Sequence, residues 1–250
     1  MITLKSTREL EVMRRAGRIV HGTLALMREI LEPGMSTEDL DREAEKFIRS
    51  HAGATPSFKG LYGFPKTLCT SVDVEIVHGI PSSKKVLSEG SIVSVDCGVH
   101  LEGLHADSAV TLPVGEIAPE VRELLRVTEE SLVAGIAAAK VGHRVGDIGH
   151  AVQTVAEAAG YGVVRELVGH GIGSRFHEEP QVPNFGRPGK GPMLRAGMTI
   201  AIEPMITLGD PATRTLEDKW TVVTRDGTWS AHFEHTVAIT DDGPLLLTVA

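Results

Sequence analysis

Four carboxylates and one histidine sit where ionisable side chains are out of place. Asp96 lies in Ile92-Val93-Ser94-Val95-Asp96-Cys97-Gly98, and Asp107 in His105-Ala106-Asp107-Ser108-Ala109-Val110. His170 lies in Val168-Gly169-His170-Gly171-Ile172-Gly173, Glu203 in Ile200-Ala201-Ile202-Glu203-Pro204-Met205, and Glu234 in His232-Phe233-Glu234-His235-Thr236-Val237. Their neighbours favour burial, and a buried carboxylate without a partner is strongly unfavourable. These segments contain no Lys or Arg, so ion pairs within them cannot neutralise the set. Divalent metal can. If some carboxylates bridge or bind through both oxygens, the five side chains supply about six or seven ligand atoms, which suits two ions roughly 3.5–4 Å apart. Oxygen-rich ligation with a single imidazole favours Mn, Fe(II) or Co over a Cys- and His-rich structural zinc site. A lone Asp at a strand end is usually a turn cap, and a lone buried His a satisfied core residue. The metal reading rests on the set of five.

Gly169-His170-Gly171-Ile172-Gly173 also has a phosphate-loop reading. The dinucleotide fingerprint, however, needs G-x-G-x-x-G between a strand and a helix. Here the spacing is G-x-G-x-G, and the following Ser174-Arg175-Phe176-His177-Glu178-Glu179-Pro180 is not an amphipathic helix. Glycines flanking His170 instead let other backbone or a substrate come close to it. Two more histidines, His78 in Val77-His78-Gly79-Ile80-Pro81 and His177, stand outside the carboxylate set. They have the character of donors to a carbonyl or developing oxyanion, though either alone would pass for an ordinary turn histidine.

The elements that must position these residues form two similar runs. Ser6-Thr7-Arg8-Glu9 fits a capping box, and Leu10, Met13, Ala16, Ile19, Val20, Leu24, Met27 and Leu31 recur at helical spacing up to Pro33-Gly34. A second helix is expected from about Ser36 to His51. A later pair runs from Pro119 to Val141-Gly142 and from about Val145 to Gly160. A shift of 108 residues carries Gly34 onto Gly142, Asp39 onto Asp147, Leu40 onto Ile148 and Met13 onto Val121, keeping apolar positions apolar. Duplication explains this better than chance. Strands are expected after each pair: Ile92–Cys97 and His100–Thr111 around Gly98 and Gly103, then Met198–Ile202, Trp220–Arg225 and Ala231–Ile239, with a tight turn at Asp226-Gly227. The expectation is an α+β fold, one domain over residues 1–250, with repeats of roughly 6–113 and 114–245 and a site in the cleft between them.

Composition narrows the classes. The 250 residues carry 25 Lys and Arg against 33 Asp and Glu, a formal charge of -8 that disfavours nucleic acid as a specific partner. No apolar run approaches a membrane span, and MITLKSTREL lacks a signal-peptide core. The two cysteines, Cys69 and Cys97, form no C-x-x-C pair, so a reduced, cytoplasmic protein with buried thiols is expected.

Taken in order, Val77-His78-Gly79-Ile80-Pro81, Val95-Asp96, His105-Ala106-Asp107, Gly169-His170-Gly171-Ile172-Gly173, Phe176-His177-Glu178-Glu179-Pro180, Ile202-Glu203-Pro204-Met205 and Phe233-Glu234-His235-Thr236 resemble the type I methionine aminopeptidases in their bacterial form. The resemblance covers nearly the whole chain. It implies the pita-bread fold, two pseudo-symmetric helix-helix-strand halves around a central dinuclear metal cleft, and removal of an initiator methionine that precedes a small residue. It implies Asp96, Asp107, His170, Glu203 and Glu234 as ligands of two divalent ions (Co, Mn, Fe(II) or Zn), with Asp107 and Glu234 bridging and Glu203 handling the proton of the attacking water. His78 and His177 would contact substrate, and Cys69, Phe176 and Trp220 would line the methionine pocket. The implied partners are the N-terminal peptide of nascent proteins and the ribosome, with the chain acting as a monomer. Four positions depart from the usual pattern: Asp73 replaces Asn near a monovalent-cation site, Phe58 and Leu61 stand where relatives have Cys and Tyr, and His232 replaces Gln. Two other classes fit the same fold. A non-catalytic binder would have lost metal ligands, and a proline-directed peptidase usually carries an additional N-terminal domain.

Overall fold

Helix α1 (Thr7–Ile30) begins at the expected cap. Ser6 accepts from the Glu9 N–H, and Glu9 accepts from the Ser6 N–H at 2.7 Å, so two free donors of the first turn are satisfied. Helix α2 (Thr37–Arg49) repeats the device with Ser36 and Asp39. The later pair is α3 (Pro119–Ala138), which opens with Pro119 at its first position, and α4 (Val145–Ala158). At α4 only half the box exists: Asp147 accepts from the Arg144 N–H at 2.7 Å, because Arg144 has no short oxygen to offer in return. These elements come from a computed structural model that describes residues 2–250.

Equivalent backbone bonds tie each helix pair to the chain that follows it. The Gly34 N–H donates to the Leu87 carbonyl at 2.8 Å, and the Gly142 N–H to that of Leu194 at 3.1 Å. Thr37 donates to Lys85 at 2.9 Å, and Val145 to Pro192 at 3.0 Å. Both glycines are left-handed, with φ of 94° and 86°, a conformation that side chains with a Cβ rarely adopt.

The strands Ile92–Leu101 and Leu104–Pro113 form a long antiparallel hairpin turning at Glu102-Gly103. Leu68–Val72 and Thr55–Pro56 share the free edge of the first strand. In the second half Gly243–Leu246, His235–Thr240, Thr199–Ile202, Gly169–Gly171 and Glu178–Val182 make a five-stranded antiparallel sheet, in that order. Each half has its own core. Ala16, Val20 and Met27 of α1 and Leu40, Ala44 and Ile48 of α2 pack on Val93, Val95 and Cys97. Leu124 and Leu132 of α3 and Ile148 of α4 pack on Ile200, Ile202 and Val237. The halves join where Leu104–Pro113 meets the segment around Glu234: Glu234 N–H donates to Ala109 O at 2.9 Å.

Two strand expectations need correction. Gly98 does not break the first strand but lies inside it. A Cβ there would stand 2.9 Å from Phe176 Cε2 and from Ser57 Cβ, so the glycine serves close packing and not a turn. The run Ala231–Ile239 is not continuous: Ser230–His232 and His235–Thr240 belong to different sheets, and Phe233-Glu234 crosses between them.

Candidate metal centre

The two halves deliver their acidic residues to one cleft. Asp96 comes from the middle of the first hairpin strand and Asp107 from the second, where it faces Gly98 across the ladder. Its outward main-chain groups are fixed by one side chain: Thr236 Oγ1 accepts from Asp107 N–H at 2.9 Å and donates to Asp107 O at 2.7 Å. Glu234 occupies the crossing between sheets, with its carbonyl held by Ser108 Oγ. Glu203 follows directly on Thr199–Ile202, and Asn184 Nδ2 donates to its carbonyl at 2.9 Å. His170 sits in the short strand Gly169–Gly171. Its glycines are obligatory: a Cβ at Gly169 would lie 2.4 Å from Ala201 O, and one at Gly171 2.3 Å from Glu179 O. His170 Nδ1 is engaged with Gly171 O at 2.8 Å, which leaves Nε2 for the cleft.

The five residues predicted from sequence converge. Asp107, His170 and Glu234 each offer a ligand atom within 4.8 Å of the others. Glu203 Oε1 lies 3.7 Å from His170 Nε2, and the Asp96 carboxyl adjoins that of Asp107. Asp96, Asp107, His170 and Glu234 are buried, and the Glu203 side chain is 14% exposed. Asp96 Oδ1, Asp107 Oδ1 and Glu234 Oε1 are buried acceptors with no hydrogen-bond donor among the described residues.

The electrostatics have one pattern. Burial first, and repulsion by the neighbouring carboxylates second, push Asp96, Asp107, Glu203 and Glu234 well above the usual carboxylate range. No Lys or Arg contributes to any of the four. Burial also lowers His170 to about 3, so its ring is neutral and its Nε2 lone pair is available. Unpaired buried oxygens beside a neutral imidazole fit a divalent metal, which would reverse this penalty.

Over the acidic floor lies a cavity of about 320 Å³. Phe58, Phe64, Cys69, Phe176 and Trp220 form its apolar wall. Phe58 and Phe176 meet edge-on with centroids 5.2 Å apart, as do Phe64 and Trp220 at 5.1 Å. Cys69 pairs in register with Asp96, and burial raises its thiol well above the ordinary value, so it is a wall residue and not a thiolate. The departures Phe58 and Leu61 both line this cavity. Asp73 is a strand-edge cap instead: its carboxyl accepts from Ile92 N–H at 2.9 Å and from Ser91 Oγ at 3.2 Å.

His78 and His177 line the same cavity. His78 adopts φ 61°, and its neighbour Gly79 is locked by a bond from its N–H to Ser71 Oγ at 3.1 Å. Burial and the nearby His177 lower His78 to about 4. His177 is exposed at the mouth, its centroid 4.4 Å from that of His170, and desolvation lowers its pKa. Both rings are therefore neutral hydrogen-bond donors near pH 7.

Sequence reasoning missed Tyr62 and Asn184 here, and it marked His232 only as a departure from the usual pattern. Tyr62 stacks on His177 at 5.7 Å and 16°, with its hydroxyl 3.4 Å from Nδ1. The positive-φ glycines Gly60 and Gly63 around it were the available signal. Asn184 lies in an irregular segment with no pattern to mark it. The buried ring of His232 places Nε2 3.8 Å from Glu203 Oε2, a contact that no spacing rule reveals.

Comparison with known proteins gives consistent findings. The model of metallopeptidase family M24 matches residues 11–241. A methionine aminopeptidase of Clostridium perfringens is 55% identical over 249 residues, covering 100% of this chain and 99% of that protein. The crystal structure of methionine aminopeptidase from Thermotoga maritima superposes with a TM-score of 0.98 at 44% identity, with 100% of both chains covered. The prolidase of Pyrococcus horikoshii superposes with a TM-score of 0.80 at 21% identity, covering 99% of this chain and 63% of that one, and shares the fold alone. That shared architecture is the pita-bread fold.

Proposed function

The chain belongs to metallopeptidase family M24 and is a metal-dependent aminopeptidase; we propose that it removes the N-terminal methionine of nascent proteins whose second residue is small. The observation that carries this is the set of buried carboxylates with unpaired oxygens at the floor of an apolar cavity. Asp96, Asp107, His170, Glu203 and Glu234 would hold two divalent ions. Oxygen-rich ligation favours Mn, Fe(II) or Co, with Zn the remaining choice. When bound, such ions would bring the pKa of a water near neutrality and polarise the scissile carbonyl.

The remaining steps belong to this chain's side chains. The wall of Phe58, Phe64, Cys69, Phe176 and Trp220 takes up the methionine side chain and excludes water from it. His78 and His177 donate hydrogen bonds to the substrate, His177 at the carbonyl oxygen where negative charge develops. Glu203 accepts the proton of the attacking water and passes it to the leaving amine. All twelve of these residues come from one chain, so a monomer suffices. The substrate's N-terminus emerges in the cytoplasm at the ribosome, which is the proposed place of encounter.

A prolidase-type activity has only a fold likeness in its favour, and a non-catalytic binder would not need five convergent ligands. Incubation with Met-Ala-Ser and with an Xaa-Pro peptide, with and without added metal, tests the reading. Metal-dependent release of methionine from the first alone is expected. Cleavage of the Xaa-Pro peptide, or of neither, would overturn it.

A further inference from the structure

Lys5 and Glu178 form an ion pair that the proposed chemistry does not use. Their atoms Nζ and Oε2 are 2.5 Å apart, and the side chains are only 5% and 9% exposed. In the other Lys and Arg pairs among the described residues the cation is at least 25% exposed, the lowest value being that of Lys66 with Glu38. Thr3 Oγ1 donates to the same Glu178 oxygen at 2.6 Å and accepts from Lys5 Nζ at 2.8 Å. The fit is close on all sides. A Cβ on Gly173 would stand 2.3 Å from Lys5 Cε and 2.7 Å from Glu178 Oε1, so the last glycine of the Gly169–Gly173 run makes room for this pair.

Both ends of the contact lead to the site. The Lys5 N–H donates to the Gly197 carbonyl at 2.7 Å, in the turn just before the strand Thr199–Ile202 that delivers Glu203. Glu178 is the residue after His177, and its other oxygen accepts from the Arg175 N–H at 3.1 Å and from Ser174 Oγ at 3.4 Å. Its carboxylate thus gathers residues 174–178, the loop that presents His177. Burial alone would raise its pKa, but Lys5, Thr3 and the Arg175 N–H outweigh this and hold it at about 2, so the Glu178 carboxyl stays ionised. Charge-assisted bonds of this kind are stiff and directional.

We propose that the N-terminal segment is a strap, in which Lys5, clamped on Glu178, acts as a positioning residue for His177 and so for stabilisation of the developing oxyanion. The proposal rests on the substrate role assigned to His177 above. The exposed ring stacks on Tyr62 and meets Phe176 and His170 edge-on, but none of these contacts fixes the loop that carries it, and a donor displaced by a fraction of an ångström loses most of its effect on the transition state.

The test is a double-mutant cycle on Met-Ala-Ser hydrolysis with Lys5→Met and His177→Ala, with metal content measured in each variant. Lys5→Met should lower kcat/KM roughly tenfold, part of the 10²–10³ that one oxyanion donor supplies, with metal content unchanged. In the His177→Ala background the same substitution should cost less than about twofold, since nothing is left to position. Lys5→Met/Glu178→Gln removes both charges, leaves no buried ion unpaired, and should reproduce the tenfold loss if Lys5→Met folds poorly. A full tenfold loss in the His177→Ala background would make the strap merely structural and overturn the proposal. So would unaltered kcat/KM in both strap variants. If His177→Ala itself is silent, the role of His177 falls first, which separates that failure from failure of the strap.

Discussion

Thr236→Val isolates the contact that joins the two halves at the metal centre. Valine keeps the shape of threonine but loses the hydroxyl, so no cavity opens. Two outward-facing main-chain groups of Asp107, its N–H and its carbonyl, lose the partner that now bonds them at 2.9 and 2.7 Å. Thr236 is fully buried, so water cannot replace it. Each orphaned group costs about 1–3 kcal/mol, and about 3 kcal/mol is a moderate sum for the two. In a chain of this length 1 kcal/mol moves Tm by about 2–4 °C, so the metal-free variant should melt about 6–12 °C lower. The main chain that carries the Asp107 carboxyl would also loosen, and loss of a group that orients a ligand typically weakens metal binding 10–100-fold. Calorimetric melting of the metal-free protein and titration of Mn(II) or Co(II) into both proteins measure the two effects. A Tm within about 2 °C of the parent, together with unaltered metal affinity, would refute the reasoning.

His177→Ala should keep its metal yet lose roughly 2.7–4 kcal/mol in kcat/KM, read from initial rates on Met-Ala-Ser; parallel loss of metal would move the ring into the ligand set. Cys69→Ser should act mainly on KM, because the buried thiol only packs, whereas Cys69→Phe should block methionine by filling the cavity; a dead Cys69→Ser would give the sulfur a chemical role. Metal removal should lower Tm by about 5–11 °C relative to protein at a hundredfold excess over Kd, which corresponds to about 2.7 kcal/mol. The metal-free protein should also lose stability as pH rises. Its four clustered carboxyls have folded pKa values raised above the unfolded ones, so the native state binds more protons, and the loss begins as pH passes the ordinary carboxylate range. Melts between pH 4 and 8 that show metal-free protein gaining stability would contradict this.

The features legible in the sequence are those whose causes are local. The capping pairs Ser6/Glu9 and Ser36/Asp39 mark helix starts within four residues, and the structure places α1 and α2 there. The carboxylates stood out because each lies in an apolar run, where burial demands compensation whatever the fold. Non-local features were not legible. Gly98 looked like a strand break because nothing in its neighbourhood announces Phe176 and Ser57 pressing on it. The run around Glu234 looked like one strand because its alternation is unbroken, although its two ends pair with different sheets. Leu68–Val72 and Glu75–Val77 are short and owe their pairing to distant partners, Val93–Cys97 and Val222–Val223. The Lys5–Glu178 contact joins residues 173 positions apart, beyond any spacing rule.

The proposed role of Asp96, Asp107, His170, Glu203 and Glu234 is to hold catalytic divalent metal together beneath a methionine pocket. Its most direct test is metal titration of the metal-free protein by calorimetry, with methionine release from Met-Ala-Ser followed in the same samples, for the parent chain and for Asp107→Asn. Two bound ions in the parent, activity that rises with occupancy, and loss of at least one ion with nearly all turnover in Asp107→Asn are expected. Two bound ions and near-parental turnover in Asp107→Asn, or methionine release from the parent without metal, would contradict it.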